Sequence, residues 1–286
     1  MAEIARIGVV GCGLMGSGIA EVCVRAGLDV VVAEAGGDAA DAGAARIAGS
    51  LDRAVGRGKL TAGERAAALG RLTVTDTLER LADRDLVIEA VAEDEAAKLD
   101  VFTRLDAILT RPDAILATNT SSIPVIRLAR ATSRPQQVLG LHFFNPVPVL
   151  PLIELVPTLL TGAETVERVT AFAAGRLGKE VIRVRDQAGF VVNALLVPYL
   201  LSAVRMVESG RASAEDVDRG MVLGCAHPMG PLALADLIGL DTTRAIAASL
   251  YDEYKEPLYS PPPLLARMVD AGLLGRKSGR GFHRYT

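Results

Sequence analysis

The stretch "IARIGVVGCGLMGSGIAEVCVRAGLDVVVAE", Ile4 to Glu34, carries three signals in a fixed order. The apolar run "IARIGVVG" has the length and composition of a buried strand. Gly11, Gly13 and Gly16 then form GxGxxG, and "LMGSGIAEVCVRAG" follows as an amphipathic helix that ends at Gly27. A second strand, "DVVVAE", closes at Glu34. Alone, GxGxxG is a weak pattern; between a strand and a helix it predicts a dinucleotide-binding turn. Gly11 permits the tight turn, Gly13 leaves room for a pyrophosphate, and Gly16 lets helix and strand pack closely. Leu14 and Met15 open the helix, where backbone N–H groups and the positive dipole end meet phosphate. Glu34 stands where an acid grips the adenosine ribose, and its charge would repel a 2′-phosphate. NAD is therefore expected ahead of NADP, the alternative, since the following "AGGDAA" holds no arginine to receive that phosphate.

Working outward, the alternation continues. A long helix is expected from about Asp38 to Arg57, then a helix and short strand in "GKLTAGERAAALGRLTVT". The apolar strands "RDLVIEAV" and "DAILATNT" flank the helical "EDEAAKLDVFTRLDAIL", and "QVLGLHFF" makes another strand. Repeated βαβ crossovers predict a parallel, doubly wound Rossmann-type α/β sheet. "LPLIELVP" and "KEVIRVR" read as two closing strands around the helix "AETVERVTAFAAGRLG". Beyond Arg185 the pattern turns all-helical, so two domains are expected, 1–186 and 187–286. Ser213 reads as an N-cap followed by acids. The helix spanning 190–207 is apolar on more than one face, which fits either an internal core or a dimer interface.

The bulk properties exclude several classes. Half of the 286 residues are hydrophobic and the net charge is −3, which argues against disorder and against a nucleic-acid-binding surface. No apolar run approaches the roughly 20 residues a membrane span takes. The opening "MAEIARIGVVGCG" moves straight into a strand without the regions of a signal peptide. Three cysteines, widely spaced and without CxxC, suit small buried residues in a reducing compartment; the cytoplasm is the expected location. No metal-ligand spacing is present.

Only three histidines occur, and His142 sits in "GLHFFNPVPVLPLIE" with the lone acid Glu154 at the end of the same segment. The residues leave two readings open: a buried histidine with a satisfied hydrogen bond, or a base with its orienting carboxylate. Ser121 and Ser122 follow a parallel strand at its carboxyl end, where ligands collect, yet either could cap the helix "IPVIRLA". A buried Asn193 on so apolar a helix would be costly without a partner.

The stretches "GVVGCGLMGSGIAE", "LVIEAVAEDEAAK", "ATNTSSIP", "GLHFFNPVPVLPLIELV", "GFVVNALLVPYL", "HPMGPLALADLIGLDTT" and "GRKSGRGF" are spread over nearly the whole chain. In their order and spacing the chain resembles the short-chain 3-hydroxyacyl-CoA dehydrogenases, most closely the actinobacterial 3-hydroxybutyryl-CoA dehydrogenases. The resemblance implies an NAD-dependent oxidoreductase of short-chain (S)-3-hydroxyacyl-CoA, with His142 as general base, Glu154 as its orienting partner, and Ser121 and Asn193 as substrate contacts. It assigns Glu93, Lys98, Ser121, Asn145 and Lys277 to the cofactor, and Ser50 and Arg57, in "GSLDRAVGRGKL", to coenzyme A, with Ser121 also facing the substrate. It implies a homodimer through the helical domain. His227 of "HPMGP" reads as structural. Many relatives carry a lysine in "PVMKLVE" where this chain has Leu150 and Pro151, so acyl chain length stays open. Two rivals remain: the same chemistry on an acyl-carrier-protein-bound unit of a polyketide pathway, or a catalytically idle, crystallin-like binding protein. Arg53, Arg57 and Lys59 could face coenzyme A phosphates or an acidic carrier.

Overall fold

The apolar runs at the head of the chain become the middle of a sheet. In the computed structural model, which describes residues 3–285, one unit runs to Gln187 and a second begins at Ala188. The first contains β1 (Arg6–Val10), α1 (Leu14–Arg25), β2 (Asp29–Ala33), α2 (Gly37–Gly56), α3 (Ala62–Leu69) and β3 (Leu72–Thr75). β4 (Leu86–Glu89), α4 (Glu95–Ile108), β5 (Ile115–Thr118), α5 (Val125–Arg130), β6 (Val138–Phe143), β7 (Leu152–Pro157), α6 (Ala163–Ala171) and β8 (Glu180–Arg183) complete it. The strand order is β3-β2-β1-β4-β5-β6-β7-β8. Strands β4 and β5 are buried at every position, as expected of strands covered on both faces. The order reverses between β1 and β4, and the crevice beyond their carboxyl ends is where an open α/β sheet binds ligands.

The two closing strands, whose direction the sequence left open, bring one reversal. Neighbours from β3 to β6 are parallel, but β7 runs antiparallel to β6, and β8 is parallel to β7. The connection between β6 and β7, residues 144–151, is shorter than the dozen or so residues a parallel crossover takes. The chain therefore turns back on itself directly after His142 and Phe143.

The second unit packs α7 (Val192–Glu208), α8 (Ala214–Cys225), α9 (Pro231–Ile238), α10 (Leu240–Tyr254) and α11 (Pro263–Asp270) around Leu200, Leu201, Val204, Leu232, Leu250 and Leu265. Helix α7 starts at Val192, two residues later than expected, because Gly189 and Phe190 hold positive φ values of 75° and 49°. It buries Val197, Leu200, Leu201 and Val204 in this unit's own core, while Leu195 stays 73% exposed. Ser213 caps α8 as expected, accepting from Asp216 N at 3.1 Å. The "GRKSGRGF" segment is held by Asp236, which accepts from the backbone of Phe282 and His283 and from Tyr285 Oη. A side chain at Gly281 would start 1.9 Å from Asp236 Oδ1, so this motif's last glycine is a close-approach site. Burial and the Asp236 carboxylate push the Tyr285 phenol up to about 12. His227 makes a 3.1 Å hydrogen bond with Tyr199 Oη, in keeping with a structural role.

Among the described residues no helix is long and apolar enough to cross a membrane. Cys12 and Cys23 are buried and Cys225 is exposed, all three as free thiols. Burial pushes the Cys12 thiol up to about 11, with the Glu34 charge adding to it, and that of Cys23 to about 12. A thiol reagent at pH 8 should titrate one cysteine fast in native protein and the other two only after denaturation. Two or three fast thiols would contradict this burial.

Candidate active site

The glycine-rich turn has the shape that a dinucleotide needs. Gly11 adopts φ +89°, and a Cβ there would lie 2.7 Å from the Ala90 carbonyl oxygen. A Cβ on Gly16 would meet Gly11 O at 1.9 Å, so α1 can approach the turn only with glycine at this position. At Gly13 a Cβ would meet nothing within 4 Å, which leaves open space over the turn. Helix α1 begins at Leu14 with no side-chain cap and no acid in its first turn. Its N–H groups, those of Leu14, Met15 and Gly16 among them, suit a pyrophosphate on both hydrogen-bonding and dipole grounds. Beside the turn lies a cavity of about 240 Å³ lined by Gly11, Ala33, Glu34, Asp76, Val91 and Arg104, a mixture of apolar and charged side chains of the kind ligand clefts carry.

Glu34 follows β2 immediately and its carboxylate reaches the turn, accepting from Cys12 N at 2.6 Å. Arg46 of α2 donates to the Cys12 carbonyl from the other side. Helix α2 approaches closely because Gly43 has no side chain; a Cβ there would lie 2.6 Å from Cys12 Sγ. The variable second residue of GxGxxG is therefore keyed into α2 and held at both its N–H and its C=O. Arg46 was invisible as a site residue in the sequence, because it lies twelve positions beyond Glu34 inside an ordinary helix.

The antiparallel return of β7 pairs His142 with Glu154 in register. Directly opposed residues share a face of the sheet, so the two side chains meet. His142 Nδ1 lies 2.7 Å from Glu154 Oε2, with the carboxylate 0% exposed and the ring nearly buried. Phe144 packs its ring edge-on at 4.6 Å between centroids. The intervening loop is anchored by Lys179, whose ammonium donates to the carbonyls of Val147 at 2.6 Å and Leu150 at 2.7 Å. Burial, with the nearby Arg25 charge, lowers the Lys179 pKa. Lys179 lies just before β8, 29 residues beyond Leu150, so only the fold brings it to this loop.

Ser121 and its neighbours hang on one acid. Glu93 Oε1 accepts from Thr120 Oγ1 at 2.6 Å, Ser121 N at 3.0 Å, Ser122 N at 3.1 Å and Ser122 Oγ at 2.8 Å. Burial works to raise the Glu93 carboxyl, but the Lys98 charge and these hydrogen bonds outweigh it and hold it below the usual range. The capping role offered to Ser121 or Ser122 falls elsewhere: Asp186 Oδ1 and Oδ2 accept from Val125 N and Ile126 N at the start of α5. Its place 61 residues along the chain hid it. Asn119 Oδ1 accepts from Phe143 N at 2.8 Å, which ties the ends of β5 and β6 together and sets the Ser121 turn and His142 on the same edge.

Lys98 is 1% exposed, its ammonium 2.6 Å from Glu89 Oε1 and 3.4 Å from Glu93 Oε2. It therefore lies beneath this edge rather than on it. Glu89, unassigned from the sequence, could have been noticed as the only acid inside the apolar strand "LVIE". Asn145 is exposed on the β6–β7 loop. Ser50 and Arg57, seven positions apart, share one face of α2 and its exit, with Arg57 exposed. Asn193 and Lys277 belong to the second unit, where Asn193 is buried in the first turn of α7 and Lys277 pairs with Asp241 at 2.6 Å.

The chain matches the NAD-binding domain of 3-hydroxyacyl-CoA dehydrogenase over residues 6–187 and the C-terminal domain of the same enzymes over residues 189–285. It is 61% identical over 282 residues to a 3-hydroxybutyryl-CoA dehydrogenase of Mycobacterium tuberculosis, covering 99% of both chains. With a probable 3-hydroxybutyryl-CoA dehydrogenase of Bacillus subtilis it shares 46% identity over 283 residues, 99% of this chain and 98% of the other. The crystal structure of (S)-3-hydroxybutyryl-CoA dehydrogenase from Ralstonia eutropha superposes with a TM-score of 0.94 at 44% identity, covering 99% of this chain and 100% of that one. With the glycine-rich turn, the acid after β2 and both domains matched end to end, the chain belongs to the 3-hydroxyacyl-CoA dehydrogenase family and uses NAD.

Proposed function

We propose that this dehydrogenase interconverts (S)-3-hydroxybutyryl-CoA and acetoacetyl-CoA, with His142 as general base. The observation that carries the reading is the 2.7 Å bond between His142 Nδ1 and a fully buried Glu154. A carboxylate on Nδ1 fixes the tautomer and directs Nε2, the opposite ring nitrogen, to the reacting oxygen. In the oxidative direction Nε2 takes the proton of the C3 hydroxyl, and Glu154 stabilises the resulting imidazolium. Bound NAD supplies the acceptor for the hydride that leaves C3. Ser121 bonds the same oxygen from the turn that Glu93 holds, and Asn193 bonds the acyl group. Glu93, Asn145 and Lys277 contact the nicotinamide half of the cofactor, with Lys98 supporting them from below. Ser50 and Arg57 take the coenzyme A end.

The homodimer belongs to the same reading, supported by Leu195 and Leu223 of the helical unit, 73% and 71% exposed. So does a cytoplasmic location, which rests on three unpaired thiols. The test is the initial rate of acetoacetyl-CoA reduction with NADH and with NADPH. Turnover with NADH supports reaction and carrier together. A dead assay on folded protein that binds NADH points to a carrier-protein substrate or another acyl group.

The Glu34 argument has its own check. Glu34→Ala should narrow the preference for NADH over NADPH by roughly tenfold or more. That is the scale of one unit-charge repulsion at about 4 Å in a partly solvated site, about 1–4 kcal/mol. An unchanged ratio of kcat/KM values would place cofactor selectivity outside this carboxylate.

A further inference from the structure

We infer that Glu89 is a positioning residue for this reaction, acting through Lys98 and Glu93 on the turn that carries Ser121. Glu89 ends β4, in register with Val10 of β1 and Thr118 of β5, at the reversal of strand order. Its carboxylate is 0% exposed and accepts from Val91 N at 2.7 Å, Thr118 Oγ1 at 2.7 Å and Lys98 Nζ at 2.6 Å. Three donors from three segments leave it one position. It sets the Lys98 ammonium, and Lys98 in turn faces Glu93 Oε2 at 3.4 Å. The other oxygen of Glu93 carries the Thr120–Ser122 turn. The rigidity of the sheet is thus handed through one acid, one base and a second acid to a half-buried serine.

The charges explain why the first acid matters. With Glu89 ionised, Lys98 is shared between two carboxylates and bound more closely to the buried one. With Glu89 neutral, the whole attraction of a buried ammonium falls on Glu93. That pull draws the Glu93 carboxylate away from the turn, and the donors of Ser121 and Ser122 lose their common acceptor.

This inference rests on the reading of Ser121 and Glu93 as lining the nicotinamide and substrate end. The experiment compares wild type, Glu89→Gln and Ser121→Ala for NADH and ADP-ribose dissociation constants and for acetoacetyl-CoA kinetics. ADP-ribose reports the adenosine end alone. Glu89→Gln should weaken NADH binding about tenfold or more and lower kcat, with ADP-ribose affinity within about twofold of wild type. A merely structural role would move both ligands together or neither. Should Glu89→Gln not fold, Glu89→Asp keeps the charge but shortens its reach to Lys98, and a selective loss of NADH affinity in the same direction is expected. Wild-type NADH affinity and kcat/KM in either variant, with Ser121→Ala impaired, overturns the role of Glu89 and leaves the reading of the site standing. Wild-type kinetics in Ser121→Ala removes that reading and the inference with it.

Discussion

Replacing His142 with alanine should lower kcat for acetoacetyl-CoA turnover by roughly 10²–10⁴, the range for loss of a positioned general acid–base. The loss is expected in kcat and kcat/KM alike, since proton transfer occurs only in the transition state. NADH affinity should stay near wild type, because the glycine-rich turn and the His142–Glu154 pair lie on different strands, β1 and β6–β7. Glu154→Gln should fall between wild type and His142→Ala. The amide still reaches Nδ1, but it brings no charge to balance an imidazolium, and it can present the wrong group to the ring. Steady-state rates with equilibrium NADH titrations decide this. A His142→Ala enzyme with near-full activity would return His142 to the role of a core histidine with a satisfied bond.

Lys98→Met should cost about 3–5 kcal/mol of stability, the usual penalty for removing one partner of a buried ion pair. Glu89 would keep its bonds from Val91 N and Thr118 Oγ1 but would lose its countercharge at 0% exposure. Nothing else on that side replaces it, as Glu93 is another acid. Urea unfolding measures the effect, and Glu89→Gln/Lys98→Met should recover much of it, because no uncompensated buried charge remains. A single variant within about 1 kcal/mol of wild type would mean that the ammonium is solvated in solution and that the pair stores little energy.

Much of this molecule could be read before any coordinates. Strand, glycine turn and helix in Ile4–Glu34 are local matters of side-chain period and of backbone room at Gly11 and Gly16, and the structure keeps all of them. The N-cap at Ser213 and the helical second unit were legible for the same reason. His142 and Glu154 were visible as a lone base and a lone acid, yet their meeting depends on β7 running antiparallel to β6, a direction the reading of two closing strands left open.

Contacts between distant segments stayed hidden. Asp186 caps α5, Lys179 holds the loop after His142, and Arg46 reaches Cys12, each across a separation that no local period encodes. Glu89, Glu93 and Lys98 look alike in "EAVAEDEAAK", one charged stretch opening a helix. Burial separates them: packing of α4 on the sheet puts Glu89 and Lys98 out of water and leaves Glu93 partly exposed. The sequence by itself determined the elements, the cofactor turn and the residue types the reaction uses, because these follow from neighbours along the chain. Only the tertiary structure decided which charges face each other in a dry interior, because burial and pairing are properties of segments that meet after folding.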